Sequence, residues 1–289
     1  MADKQEKIKK RGFFASTWRR LCRNRLSVIG MTILSIFILA AVFADVIAPY
    51  PYSKQDLRSI GLSPSAQHLF GTDNLGRDLF SRVIYGARVS LRIGFVSTMI
   101  ALICGGILGS ITGFYAGKAD MIIMRIIDMM MAIPSVLLAI VISASLGPGV
   151  RNLMIAIGIS SIPSYTRIVR ASILSLRGDE YIEAARLCGD SDFRIIWRHI
   201  FPNILAPVIV QVTLGMALCI LNASSLSFLG LGVQAPQPEW GSMLADGRSY
   251  IRQYPHIVLF PGLAIVFLVL SLNMIGDGLR DALDPRMKN

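Results

Sequence analysis

Residues 93–115 read IGFVSTMIALICGGILGSITGFY, and no side chain among them is charged. An α-helix rises 1.5 Å per residue, so about 20 apolar residues cross the roughly 30 Å hydrocarbon core of a bilayer. This stretch is long enough to span. Within it Gly105, Gly109 and Gly113 recur at every fourth position. That spacing lines one helix face without side chains, which permits close approach of a neighbouring helix. Glycine is also simply common in membrane helices, so the pattern leaves both readings open.

Similar apolar stretches lie on either side. Residues 26–48 follow a basic segment, 1–25, that holds Lys4, Lys7, Lys9, Lys10, Arg11, Arg19, Arg20, Arg23 and Arg25. The apolar run is longer than a signal-peptide core and no small-x-small cleavage site follows, so it reads as a retained first helix. Beyond 93–115 come 126–146 with Pro134, 153–168 with Pro163, 204–226 with Pro207 and 257–275 with Pro261. The turn Gly147-Pro148-Gly149 joins the third and fourth of these spans. Membrane helices tolerate proline because neighbours and water satisfy the freed carbonyls. Their recurrence suggests kinked helices around a cavity.

Composition agrees. The 289 residues are 53% hydrophobic and 16% charged, where a soluble domain carries roughly 25% charged residues. Lipid must therefore be part of the solvent. The net charge of +11 does not mark a nucleic-acid binder, because the basic residues flank apolar runs and do not line an aromatic-studded face. Cys22, Cys104, Cys188 and Cys219 show neither disulfide-framework nor zinc spacing and read as reduced thiols.

The expected fold is thus an all-α membrane protein with six transmembrane helices. Its parts are the basic cytoplasmic segment 1–25, the first helix 26–48, an external segment 49–92, a five-helix core 93–276 and a tail 277–289. Lys and Arg concentrate in the amino-terminal segment, the loop 167–203 and the tail, which puts these and both termini in the cytoplasm. The outer segment ends in Phe70-Gly71-Thr72-Asp73-Asn74-Leu75-Gly76-Arg77-Asp78, where Gly and Asn suit tight turns. A second outer segment, 232–254, carries Trp240, read as an anchor at the headgroup level. These loops suit either a docking surface for an outside partner or plain connections.

The inner loop, 167–203, carries more structure. Asp179 can cap a helix with Glu180 and Glu183 in its first turn, running through Ala184 and Ala185 to a stop at Gly189. Asp190 to Asp192 can cap a second, on which Phe193, Ile196, Trp197 and Ile200 fall at i, i+3, i+4 and i+7 as an apolar stripe. Pro202 then interrupts it. Two short helices meeting at a glycine form either a knob for another protein's groove or a re-entrant cap on the bundle.

Reactive constellations are missing from the sequence. Gly117-Lys118 lacks the first glycine and the hydroxyl of a phosphate-binding loop. No H-E-x-x-H or G-x-S-x-G occurs, and His68, His199 and His256 lie far apart. Neither a cofactor nor a metal site is expected, and His199 reads as a packing residue. Arg125 and Asp128 are three apart near the inner end of the third span and can pair with each other. Asn222 and Asn273 either face a cavity or bond between helices.

Glu183-Ala184-Ala185, then Gly189 and Pro202, resemble the EAA loop of ABC importer permeases, although His199 and Phe201 stand where the family pattern has Ile and Leu. The outer Phe70 to Asp78 motif, Tyr85-Gly86-Ala87-Arg88, Phe228-Leu229-Gly230-Leu231-Gly232, Pro238-Glu239-Trp240-Gly241, and Gly276-Asp277-Gly278-Leu279-Arg280-Asp281 with Leu283-Asp284-Pro285 are similar to the dipeptide, oligopeptide, glutathione and nickel permeases of that group. The resemblance implies the type I ABC importer permease fold in a bacterial inner membrane. It also implies a second homologous permease, two cytoplasmic ATP-binding subunits and an external substrate-binding protein as partners. Glu183, Ala184, Ala185 and Gly189 would form the ATPase-coupling helix, and ATP hydrolysis would reside in the partner subunits. The spans hold almost no His or carboxylate, which tilts the reading toward peptides; a glutathione or nickel importer permease is the alternative. An ion-coupled secondary transporter would be expected to show midplane carboxylates, and a membrane-bound enzyme a reactive cluster. Substrate-contacting residues stay unassigned.

Overall fold

The structure, a computed structural model, describes residues 13–115 and 117–283. Lys4 to Arg11 of the basic segment, and Asp284, Pro285, Arg286 and Lys288 of the tail, lie outside the described residues. Regular structure among the described residues is helical apart from an isolated bridge between Thr72 and Asp78.

Helix α1 (Phe13–Leu21) precedes Asn24, whose side chain accepts from the Leu26 and Ser27 amides and starts α2 (Arg25–Val42). A short α3 (Ala44–Ile47) leads into the irregular residues 48–78. Helix α4 (Leu79–Tyr115) begins well before residue 93. The Asp78 carboxylate accepts from the Ser81 amide at 2.8 Å and the Ser81 hydroxyl at 2.7 Å, and this cap starts the helix outside the apolar run. Then come α5 (Gly117–Met131), α6 (Ser135–Leu146), α7 (Val150–Leu176), α8 (Glu180–Leu187) and α9 (Asp192–Ile195). A π-turn, Ile196–Ile200, carries the chain into α10 (Phe201–Phe228); α11 (Trp240–Gly247) and α12 (His256–Leu283) follow.

Helix α2, helix α4, the continuous Asp192–Phe228 helix and α12 are long and apolar enough to cross a membrane. The pair α5 and α6 makes a fifth if it counts as one span, but it is bent by 89° at Pro134. The third span expected over 126–146, with Pro134 as a kink, is an elbow of two helices. Proline removes the amide that would continue the ladder, and its ring crowds the preceding turn. Helix α7 covers the expected fourth span but is less apolar than the others, because Arg151, Asn152 and Arg167 interrupt it. It sits inside the bundle against α4, α6 and α10, where protein and not lipid is its surrounding. The expected tail, 277–289, is helical as far as Leu283.

The most extensive contact is α4 against α7, and the glycine spacing is its cause. A methyl group on Gly109 would stand 2.7 Å from the Thr166 carbonyl and 2.8 Å from Val169 Cβ. The neighbouring stripe glycines meet Tyr165 and Ile173, and Gly158 of α7 meets Ile100 and the Ser97 carbonyl in return. The packing reading of the stripe holds. Lipid tails are as apolar as leucine, so close van der Waals packing, not burial from water, holds this crossing together.

Trp240 is a core residue, not an interfacial anchor. It is fully buried; its Nε1 donates to the Val83 carbonyl at 3.0 Å and its ring meets Phe37 edge-on at 5.5 Å. Many large apolar side chains point outward instead, among them Ile36, Leu39, Val42, Ile103, Ile107 and Val266, as lipid contact requires.

Candidate functional site

The inner loop folds as two short helices at a glycine. Asp179 occupies the cap position of α8 with extended backbone, but its side chain makes no capping bond; its carbonyl accepts from the Ile182 and Glu183 amides. At the far end Gly189 adopts φ +84°. Its amide donates to the Arg186 carbonyl, and the Asp190 amide donates to the Ala185 carbonyl. These two bonds form a Schellman stop, which needs a left-handed residue at this position. Ser191 caps α9, accepting from the Arg194 amide.

One face of this hairpin is anchored. Ile182 and Ala185 sink into a cluster with Phe114 at the end of α4, Val169 and Ile173 of α7, and Ile195, Ile200, Ile204 and Val208. The Arg186 guanidinium lies 5.1 Å over the Phe114 ring. Asn203 donates to the Tyr181 hydroxyl, His199 to Asp190 at 3.3 Å, and Arg194 to Asp190 at 2.9 Å. The Arg194 guanidinium, and after it His199, hold the Asp190 carboxyl below the usual carboxylate range.

The apolar stripe on the second helix differs from expectation. Ile195 and Ile200 are buried, whereas Phe193 and Trp197 are 71% and 55% exposed. The π-turn explains the change: the Phe201 amide reaches back five residues to the Ile196 carbonyl, so the inward positions fall five apart. The same turn lets Pro202 sit near the start of α10 without ending the helix. Of the expected site residues, Ala185 is buried, and Glu183, Ala184 and Gly189 are exposed on the outer edge. Leu187, 90% exposed, joins that edge. Its composition gave no sign of exposure, because leucine in an amphipathic helix reads as core.

The opposite end of the bundle holds a charged cluster in residues expected to form a loop. Asp73 and Arg77 are both nearly fully buried and pair at 2.6 Å; Arg82 stands 3.4 Å from Asp73, and Asp246 lies 3.5 Å from Arg77. His68 meets Asp78 at 2.8 Å, and His256 donates to the Thr72 carbonyl. Glu239 caps α11 by accepting from the Ser242 amide and from Ser224. Burial pushes its carboxyl up, against the pull of the Gly241 and Ser242 amides. Together these groups pin residues 59–78 to the ends of α4, α11 and α12.

On the exposed side of α5, Asp128 pairs with Arg167 of α7 at 2.6 Å, not with Arg125. Asp120 takes both arms of Arg170 at 2.7 and 2.8 Å. Asn222 and Asn273 are half-buried.

Residues 105–289 match the family described as binding-protein-dependent transport system inner membrane component, and residues 12–64 match the N-terminal TM domain of oligopeptide transport permease C. The chain is 51% identical to the dipeptide transport system permease protein DppC of Alkalihalophilus pseudofirmus, over 95% of this chain and 91% of that protein. It is 43% identical to the glutathione transport system permease protein GsiD of Pectobacterium atrosepticum, over 94% and 91%. In three dimensions it resembles a chain of the inward-facing MetNI methionine ABC transporter, with a TM-score of 0.58 at 17% identity, over 70% of this chain and 97% of that one; this likeness concerns the fold.

Proposed function

We propose a function on one premise: this chain belongs to the family of binding-protein-dependent transport system inner membrane components, in its peptide-permease branch. It is the permease subunit of an ATP-driven importer for di- or oligopeptides that an external binding protein delivers. Helix α7 completes six crossings, and both termini face the cytoplasm. A second, similar permease closes the path, and two ATP-binding subunits lie beneath.

The observation that carries this reading is the inner hairpin. Glu183, Ala184, Leu187 and Gly189 form an exposed edge, while Ile182 and Ala185 fix α8 to the inner ends of α4, α7 and α10. An alanine surface costs little side-chain entropy when immobilised in a partner's groove. A push on α8 therefore reaches three membrane helices through one packed cluster, as a rigid lever between two access states requires. Glutathione is the second reading, favoured by the GsiD relative.

Uptake by cells lacking this chain tests the cargo. Labelled dipeptide and oligopeptide uptake is expected to vanish and to return with the chain. Loss of glutathione uptake alone supports the second reading, and loss of Ni²⁺ uptake alone overturns both.

A further inference from the structure

The elbow between α5 and α6 has no business facing lipid. Helix α6 runs from the outer turn at Gly147 back along the outer half of α7, where Ala139 packs with Leu153 and Ile157. Its 12 residues reach about 18 Å into the membrane at 1.5 Å per residue, so the elbow lies near mid-depth. There Ala132, Ile133 and Pro134 are exposed, and no side chain caps the start of α6. The first amides of a helix have no acceptor within it. Uncovered backbone of this kind is tolerated inside a bilayer only against protein or water.

A second observation, independent of the first, marks the same face. On α5, Met121, Arg125 and Asp128 fall at i, i+4 and i+7, and Ala132, just past its end with its amide on the Asp128 carbonyl, continues the strip at i+11. The Asp128–Arg167 pair is half-exposed on both partners. Arg125 is exposed on the strip with no carboxylate at salt-bridge distance among the described residues. Charged groups at membrane depth turn to protein or to a water-filled cavity. The flank of α5 about 100° round from the strip, with Ile122 and Ile126, is apolar and exposed, and Ile127 on the far side is buried. Helix α5 also carries five methionines in 15 residues, side chains that adapt to varied shapes.

We propose that the strip Met121–Arg125–Asp128–Ala132 and the elbow at its outer end wall the water-filled path, with Arg125 receiving the carboxylate of a short peptide in transit. The inference rests on the peptide-importer reading. Arg125 supplies a fixed cation, the Asp128–Arg167 pair a polar wall without net charge, and Met121 an adaptable apolar surface. Such a wall favours charged peptide ends over the residues between them.

The test uses the complete transporter in proteoliposomes, with the four native cysteines replaced by alanine. Single variants Met121→Cys, Ala132→Cys and Ile126→Cys are treated with a membrane-impermeant anionic methanethiosulfonate. Met121→Cys and Ala132→Cys are expected to react at least about tenfold faster than Ile126→Cys, whose side faces lipid. Peptide-loaded binding protein with ATP and vanadate is expected to alter the Ala132→Cys rate. Arg125→Gln is expected to lower kcat for uptake with KM unchanged, and Arg125→Lys to restore most of it. An Ala132→Cys that stays unreactive in every state, or that cross-links to the second permease without reacting in water, overturns the proposal. So does an Arg125→Gln transporter with normal kcat. Absence of peptide uptake by the unmodified transporter would instead remove the peptide reading, which the labelling pattern does not depend on.

Discussion

Replacing Gly109 by alanine probes the most extensive helix crossing among the described residues. The added Cβ would stand 2.7 Å from the Thr166 carbonyl and 2.8 Å from Val169 Cβ. Carbon atoms rest at about 3.5–4.0 Å, so α4 and α7 must part by nearly an ångström along their shared seam. Overpacking of this kind costs about 1–3 kcal/mol. Gly106, three residues away on the same helix, is the control, since nothing lies within 4 Å of a Cβ there. Alanine at 106 relieves only the glycine's helix penalty, and about 1 kcal/mol of gain is the most expected. Thermal unfolding of the purified chain in detergent should place Gly109→Ala below, and Gly106→Ala at or above, the unmodified protein. Equal midpoints for the two variants would refute close packing as the reason for the glycine spacing.

Other outcomes follow from single contacts. Asp73→Asn leaves Arg77 and Arg82 without their shared buried carboxylate; such removals cost about 3–5 kcal/mol, so yield and unfolding midpoint should both fall sharply. With Trp18 and Trp197 replaced by phenylalanine, fluorescence from Trp240 should resist quenching by brominated lipids, because the ring is fully enclosed; strong quenching would restore the interfacial reading. Asp190 has its carboxyl lowered in the folded state by Arg194 and then His199. Its contribution to the hairpin is therefore present above the ordinary carboxylate value near about 4 and lost as pH falls through the lower folded value. Amide exchange across 182–195 should accelerate on acidification, and Asp190→Asn should remove that dependence.

The spans were legible because lipid sets a single requirement, about 20 apolar residues, that a linear sequence displays directly. Gly105, Gly109 and Gly113 announced their partner surface by spacing alone, and Gly189 announced a helix stop. The failures share a cause as well. Trp240 has the composition of an anchor, and only the fold brings Phe37 and Val83 around it. Phe193 and Trp197 fit a 3.6-residue stripe, but the π-turn made the local period five. Arg125 was the near neighbour of Asp128 in sequence, while Arg167, 39 residues on, was nearer in space. Pro134 signalled a break without its angle, and the buried cluster around Asp73 looked like a polar loop because Asp246 and His256, which close it, come from two distant segments.

In the proposed importer, α8 is the point where ATP energy enters the membrane domain. The direct measurement is ATP hydrolysis and peptide uptake by the reconstituted complex carrying Glu183→Lys, alongside co-purification of the ATP-binding subunits. Glu183 is exposed and outside the anchoring cluster, so the chain itself should fold and insert normally. The ATP-binding subunits should be lost, or their hydrolysis should cease responding to peptide-loaded binding protein, with uptake abolished. An intact complex with full uptake would contradict that role for α8.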